Sequence, residues 1–216
     1  MGKLIDRNRT RKAREAREER ARRILDAAHL AFGKMPYAEV TLDAIGKKAG
    51  VKHGQASLAF RSREELFMTV IRSQLTDWYD SLEKILTGEQ PPSTKAELAE
   101  TIAQSLAQRP DLTRLLGSLI TALELHEDGM EVHRFFNWQR DRLLDLGAAM
   151  AERVDGVHQW DAFDALYRGQ TIAAAVHPVS RLSGNLAVDL LTDDLQVFAL
   201  DLEDEVQRAV LDTLEG

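Results

Sequence analysis

The sequence contains no cysteine among its 216 residues. It therefore has no disulfide, no zinc-thiolate site and no thiol nucleophile, which excludes several classes of enzyme. No apolar run approaches the roughly 20 residues that a membrane-spanning helix needs. The basic N-terminal segment is not followed by the hydrophobic stretch of a signal peptide. We therefore expect a cytoplasmic protein without a membrane partner.

Motifs of enzymes are also lacking. There is no Gly-rich phosphate loop, no nucleophile elbow and no His-Glu-x-x-His sequence. A carboxylate-bridged metal bundle needs acid-x-x-His pairs on facing helices. The two pairs with this spacing are poorly placed, because Asp26 and His29 lie in the first predicted helix, whereas Asp155 and His158 straddle Gly156. We predict no enzymatic activity, no metal site and no cofactor.

The formal net charge of −7 is divided unequally along the chain. Residues 1–63 hold 16 Lys and Arg against 7 Asp and Glu, a net charge of +9. Residues 64–216 hold 12 basic against 28 acidic residues, a net charge of −16. A basic end on an acidic body favours binding of phosphate at one end only. The alternative interpretation is two solvated surfaces of unequal composition.

The stretch from Thr41 to Phe67 has the pattern of a helix-turn-helix. Thr41 can cap a short helix in which Ile45 and Ala49 share one face. Gly50 follows at the position where a positive φ ends a helix cheaply. The pattern therefore predicts a short helix that stops in a tight turn.

A second short helix is predicted from about Lys52 to Ala59. Ala56 and Phe60 are four residues apart and should face inward. The opposite face is polar and could read bases; it consists of Lys52, His53, Gln55 and Ser57.

A third helix, Ser62 to Leu86, is predicted to begin with a capping box formed by Ser62 and Glu65. This stretch resembles the signature of the TetR family of one-component transcriptional repressors. The resemblance rests on Thr41, Ile45, Ala49-Gly50-Val51, Gly54, Phe60, Ser62, Glu64 and Leu66. The pattern departs from the family at Ser57, Leu58 and Ala59, where the family usually has two aromatic residues and often a histidine.

The resemblance implies an all-α fold of about nine helices in two domains. Residues 1–67 would form a basic arm and a three-helix, helix-turn-helix DNA-binding domain. Residues 68–216 would form a larger helical bundle that binds a small-molecule effector and forms a homodimer. The dimer would use the last two helices, predicted at Trp160 to Val176 and Asp193 to Leu214.

The resemblance also implies roles for six residues. Thr41 and Lys52 should bond phosphates from helix N-termini, and Arg63 should do so as the basic residue that follows Phe60. The side chains expected to touch base edges are His53, Gln55 and Ser57.

The N-terminal segment is predicted to form a long helix from Arg11, whereas Met1 to Thr10 is expected to be disordered. Only the second half of this helix carries an apolar stripe. The first half should therefore project as a basic arm that contacts DNA, or serve as a solubilising tail. The candidate contacts are Arg7, Arg9, Arg11 and Lys12.

The body is predicted to contain further helices at residues 95–108, from Pro110, at Met130 to Val154, and at Trp160 to a stop at His177-Pro178. Gln139 and Gln170 interrupt apolar stripes. They could orient a ligand in an apolar cavity or be core amides that bond each other or the backbone. The remaining candidate ligand residues, Trp138 and Tyr167, could equally serve packing.

We thus predict a sequence-specific, dimeric transcriptional repressor that a small molecule releases from a double-stranded DNA operator. The alternative is an architectural DNA binder whose body only dimerises. The ligand, the operator and the sign of regulation do not follow from the sequence.

Overall fold

The computed structural model describes residues 2–181 and 195–216. In these ranges all regular structure is helical, which confirms the predicted all-α class. The described ranges contain nine α-helices: α1 Gly2–Phe32, α2 Leu42–Lys48, α3 Gln55–Ala59, α4 Arg63–Leu86, α5 Lys95–Ala107, α6 Pro110–Glu124, α7 Gly129–Ala151, α8 Gln159–Ser180 and α9 Leu202–Glu215. Short 3-10 turns lie at Tyr37–Glu39 and Gln196–Phe198. None of these helices is both long and apolar enough to cross a membrane.

The chain divides into two compact units, residues 1–70 and 71–216. Helix α4 runs without interruption through the boundary between them. Each unit has a core of its own, with Ile24, Ile45 and Phe67 fully buried in the first and Trp78 and Ile102 fully buried in the second.

Helix α1 begins at Gly2, so the expected disorder of residues 2–10 is wrong. No proline interrupts this segment, and each residue added to an existing helix gains a backbone hydrogen bond. Residues 11–19 are all exposed, whereas Ile24, Ala28 and Phe32 are buried. Residues 11–19 of α1 are therefore not part of the core, as the lack of an apolar stripe in this segment predicted. The side chains of Arg7 and Arg9 lie outside the described residues.

Aromatic rings fill the space between the end of α1 and the start of α4. The Phe67 ring meets Phe32 and Tyr37 edge-on, each at a centroid distance of 5.1 Å. Phe32 and Tyr37 stack at 5.9 Å. Helix α1 ends at Phe32, and Tyr37 begins the 3-10 turn directly after Pro36.

Helix α8 is central to the second unit. It packs against α5, α6, α7 and α9, and α9 also packs against α5. Lys95, the first residue of α5, donates from Nζ to the carbonyl of Leu214 at 2.6 Å and so satisfies one free acceptor at the end of α9. Gly169 on α8 permits close packing, because a Cβ there would lie 3.1 Å from Val210 on α9.

The ends of α7 and α8 differ from their predicted positions. Helix α7 ends at Ala151 rather than Val154, and α8 continues through Pro178 to Ser180 instead of stopping there. Because proline has no N–H, the carbonyl of Ala174 loses its usual donor. That carbonyl faces Gly117 of α6, where an added Cβ would lie 3.4 Å from the oxygen. A proline in the last turn therefore costs only one hydrogen bond.

The last helix begins at Leu202 and not near Asp193, which lies outside the described residues. Asp201 caps it by accepting a hydrogen bond from the Asp204 amide at 3.0 Å. The apolar stripe of α9 is buried within its own chain, so it cannot also face a partner. The stripe consists of Leu202, Val206, Val210 and Leu214.

Candidate functional site

The turn after α2 has the hydrogen bonds of a Schellman motif. The Val51 amide donates to the carbonyl of Gly46 at 3.1 Å, and the Gly50 amide donates to Lys47 at 3.2 Å. Gly50 adopts the φ of +64° that this motif needs. Gly46 lets α3 approach, because a Cβ there would lie 3.2 Å from the Cβ of Ala56. Local sequence thus sets the angle at which the second short helix is presented.

Helix α3 is shorter than predicted. It begins at Gln55, because Gly54 adopts a φ of +75°, which a right-handed helix cannot contain. The predicted start at Lys52 is therefore wrong, and Lys52 and His53 lie in the turn. As predicted, Ala56 and Phe60 are buried beneath the helix.

The polar residues around α3 are accessible to different degrees. Lys52, His53 and Ser57 are exposed, and Gln55 is half-buried. The His53 side chain is 91% exposed, and its Nδ1 lies 3.7 Å from a carboxylate oxygen of Asp43 on α2. Asp43 lines the depressions that contain His53 and Ser57, whereas Gln55 lines a different one, beside α1.

Thr41 performs the predicted capping role at the start of α2. Its Oγ1 accepts a hydrogen bond from the Ala44 amide at 3.2 Å. A hydroxyl that accepts still has its own proton to donate, and Thr41 is exposed. The capped hydroxyl can therefore also donate to an anion. Thr41, Ser57 and Arg63 line one open depression of about 390 Å³.

Arg63 is engaged within the protein. Its Nη2 donates to Glu64 Oε1 at 2.8 Å, and its guanidinium lies 4.4 Å from the centre of the Tyr37 ring. The hydroxyl of Tyr37 donates to the same carboxylate oxygen at 3.1 Å. The predicted phosphate contact by Arg63 would have to compete with these bonds.

Ionisation of this cluster follows from burial and hydrogen bonding. Burial, and then the charge of Glu64, raises the pKa of Tyr37 to about 12. Burial alone would raise the pKa of Glu64, but hydrogen bonds from its own amide, Arg63 and Tyr37 outweigh burial and hold that pKa below its usual range. At neutral pH the cluster contains a carboxylate, a guanidinium and a neutral phenol.

A depression between α1 and α3 contains two basic residues and a leucine that were not among the residues proposed from the sequence. Arg17 and Arg20 of α1 and Leu58 and Ala59 of α3 line this depression of about 230 Å³ together with Gln55. A signal existed for Leu58, because it is a large apolar residue that lies off the buried Ala56 and Phe60 face. No local pattern indicates that the two arginines lie beside α3.

In the second unit, the structure joins both predicted glutamines to Tyr79. Gln139 donates from Nε2 to Gln170 Oε1 at 3.1 Å and to the Tyr79 hydroxyl at 3.3 Å. The Tyr79 hydroxyl donates to Gln170 Oε1 at 3.3 Å, and Gln170 Nε2 donates to the carbonyl of Leu166 at 3.2 Å. The amides therefore bond each other and the backbone, which is the second of the two interpretations that the sequence left open.

The two aromatic candidates for ligand binding, Trp138 and Tyr167, have different surroundings. The Trp138 ring lies 6.1 Å from the Tyr79 ring and carries the guanidinium of Arg72 at 4.8 Å from its centre. Tyr167 is 44% exposed on α8. Trp138 is thus in contact with the buried Tyr79, Gln139 and Gln170 network through Tyr79, whereas Tyr167 lies toward solvent.

Two short helices across a glycine turn, in a unit of positive charge, define a helix-turn-helix DNA-binding protein. A family model described as "Bacterial regulatory proteins, tetR family" matches residues 24–70. A second, described as "Tetracyclin repressor-like, C-terminal domain", matches residues 72–216. The chain therefore belongs to the TetR family, and it is a DNA-binding transcriptional regulator.

Solved structures share the fold at low sequence identity. The fatty acid degradation regulator FadR of Bacillus halodurans is 16% identical, with a TM-score of 0.54 over 89% of this chain and 94% of that one. FadR of Bacillus subtilis in complex with stearoyl-CoA is 15% identical, with a TM-score of 0.55 over 88% and 97%. A TetR regulator from Rhodococcus sp. RHA1 is 19% identical, with a TM-score of 0.52 over 91% and 94%. No curated protein matches the chain.

Proposed function

We propose that the protein is a dimeric repressor that binds a specific operator through α3 and the turn before it, and that a small molecule bound to residues 71–216 releases it. The observation that carries this proposal is the set of polar side chains around α3, exposed at His53 and Ser57 and half-buried at Gln55, on a basic helix-turn-helix unit. Polar side chains on such a surface can bond base edges in the major groove.

Within this surface we assign attachment and reading to different residues. Thr41 and Lys52 would bond phosphates, because one offers a free hydroxyl proton and the other an exposed ammonium group. Gln55, His53 and Ser57 would contact base edges. Arg63 would contribute to phosphate binding only after giving up part of its bonding to Glu64 and Tyr37. Phosphate contacts supply affinity, and base contacts supply sequence preference.

Helix α4 supports the proposed coupling between effector and DNA. It begins next to the helix-turn-helix at Arg63, and three consecutive residues tie its later part to other helices. Trp78 Nε1 donates to Ser105 Oγ of α5 at 2.8 Å, Tyr79 bonds Gln139 and Gln170, and Asp80 accepts from Arg142 at 2.6 Å. A ligand that displaces any of these contacts would act directly on α4.

The first effector class to test is a long-chain acyl-CoA. The support for this choice is the stearoyl-CoA in the Bacillus subtilis FadR structure, which shares the fold of this chain. A ligand that Gln139 or Gln170 orients would have to replace hydrogen bonds that these buried amides already make with each other and with Tyr79.

Dimerisation would use apolar side chains that remain exposed near the last two helices. Trp160 is 61% exposed and Tyr167 44% exposed on α8, and Phe198, in the turn before α9, is 61% exposed. Exposed aromatic side chains of this size are typical of association surfaces. The proposed interface therefore uses the outer side of α8 and the turn before α9, since the α9 stripe is already buried.

The test is a binding titration on an operator duplex and on a scrambled duplex of the same composition. The operator is obtained by selection from random duplexes with the full-length protein. We expect preference for the operator and its loss when the effector is added. Linkage requires the operator to change effector affinity by the same factor, about 5- to 150-fold. Equal affinity for both duplexes would instead support an architectural DNA binder.

A further inference from the structure

Leu58 is an exposed leucine on α3, and it lines the same depression as Gln55. Its side chain is 81% exposed, more than any other large apolar side chain in the described part of the chain. Ala56, near the start of α3, and Phe60, just after its end, are both buried. Leu58 therefore points away from the core that holds α3, toward the side that DNA would occupy.

The depression beside Leu58 combines apolar and basic walls. Gln55, Leu58 and Ala59 of α3 line one side, and Arg17 and Arg20 of α1 line the other, around a volume of about 230 Å³. The volume is open, and the small side chain of Ala59 leaves space beside Leu58. A ligand that fits must offer an apolar group next to negative charge.

The two arginines differ from their neighbours on α1. Arg14 lies 2.7 Å from Glu18, and Arg22 lies 2.8 Å from Glu19. By contrast, among the described side chains no carboxylate lies within 4.0 Å of the guanidinium of Arg17 or Arg20. Both arginines that line the depression therefore carry a charge that no described carboxylate neutralises, as does Arg23 elsewhere on the helix.

We propose that this depression is a thymine-reading subsite, in which Leu58 contacts the methyl group of a thymine while Arg17 and Arg20 bond phosphates beside it. The proposal rests on the proposed function, since it requires α3 to enter the major groove. The thymine methyl is the apolar group that base edges present in that groove. Phosphates supply the negative charge that two unpaired arginines require.

The position of Gln55 adds a sequence expectation. A glutamine can bond adenine through N6 and N7, and Gln55 lines the same depression as Leu58. The two side chains together favour neighbouring A·T pairs in each half-site, one read through adenine and one through the thymine methyl. Sequence preference at this end of α3 would therefore combine a hydrogen bond with an apolar contact.

The decisive experiment replaces each thymine of the selected operator, one at a time, by deoxyuridine. Uracil keeps the pairing edge and the O4 acceptor of thymine and lacks only the methyl group. We expect wild-type protein to bind about three- to fivefold more weakly at one position per half-site, which is the scale of one buried methyl group. Leu58→Ala should bind the thymine and uracil duplexes within about twofold of each other at that position.

Leu30→Ala is the matched control, because Leu30 is an exposed leucine of the first unit that does not line the depression. It should retain the full uracil penalty. The proposal is overturned if no uracil substitution weakens the wild-type protein, or if Leu58→Ala keeps the penalty. Circular dichroism melting of Leu58→Ala should match wild type, since the side chain is exposed. If selection enriches no sequence at all, the proposed function fails rather than this assignment.

Arg17 and Arg20 are tested separately by the salt dependence of operator binding. Arg17→Gln and Arg20→Gln should each reduce the slope of log affinity against log salt by about one, which corresponds to one phosphate contact. Arg14→Gln, which removes a paired arginine from the same helix, should leave the slope nearly unchanged. Equal slopes for all three variants would remove α1 from the subsite.

Discussion

Gln139 of α7 donates a hydrogen bond from Nε2 to Oε1 of Gln170 on α8 at 3.1 Å, and both side chains are almost fully buried. Tyr79 of α4 completes the network by accepting from Gln139 and donating to Gln170. Three helices are thus connected by polar bonds within an apolar core. Such a network fixes relative positions because any displacement leaves a buried polar group without a partner.

Tyr79→Phe tests the strength of this connection. The change removes the hydroxyl and leaves the bond between Gln139 and Gln170 in place, so we expect the free energy of unfolding to fall by about 0.5–1.5 kcal/mol. Gln139→Leu should cost more, about 1–3 kcal/mol, because it leaves both Tyr79 and Gln170 short of a partner. Urea unfolding measures both. Thr171→Val, at an exposed site on α8, is the control and should change little.

Stability should depend on pH through His177. Its Nδ1 lies 2.7 Å from Thr113 Oγ1, in the interior. Burial, followed by the charges of Arg181 and Arg114, lowers the pKa of His177 below 6.5, with Asp111 acting in the opposite direction. The unfolded chain therefore binds the proton more tightly, and this contribution to stability falls as the pH drops below about 6.5.

Urea unfolding of wild type and His177→Asn at about pH 7.5 and pH 5.5 measures this contribution. The wild-type protein should lose more stability on acidification than the variant does. His133→Asn removes an exposed histidine and should behave like wild type. An identical pH dependence for wild type and His177→Asn would show that the fold does not disfavour protonation of His177.

The proposed DNA surface predicts two separable defects. Gln55→Ala should relax preference at one base pair per half-site by about 1–3 kcal/mol and leave the salt dependence nearly unchanged. Lys52→Ala should weaken binding to operator and scrambled duplexes alike and reduce the salt slope by about one. Titrations on both duplexes at several salt concentrations distinguish the two. A Gln55→Ala variant that loses the same affinity for both duplexes would contradict base reading by Gln55.

The dimer surface can be tested by placing charge on it. Trp160→Glu and Phe198→Glu should each shift the protein toward monomer in sedimentation at micromolar concentration, because an unpaired carboxylate would have to be buried on association. Asp212→Lys is the control on the exposed polar side of α9 and should leave the dimer intact. A wild-type protein that sediments as a monomer, unchanged by either substitution, would rule out this interface.

The sequence alone determined the class of fold and much of the first unit. The Thr41 cap, the turn at Gly50 and the Ser62 cap depend on interactions within a few residues, and so they can be predicted from local pattern. In the structure Ser62 Oγ accepts from the Glu65 amide at 3.0 Å, while Glu65 itself accepts from the Arg61 amide at 2.8 Å. The predicted capping box is therefore present, except that the Glu65 carboxylate accepts from the amide of Arg61 instead of that of Ser62.

Only the tertiary structure decided which polar side chains are free to act. The pairing of Gln139 with Gln170 and of Tyr37 with Glu64 joins residues 31 and 27 positions apart. The position of Arg17 and Arg20 beside α3 likewise depends on how α1 packs across it. Helical periodicity assigns a residue to a face of its own helix, whereas packing between helices determines what that face meets. That is why the sequence predicted the helices, whereas only the folded chain showed that Gln139 and Gln170 bond each other in the interior.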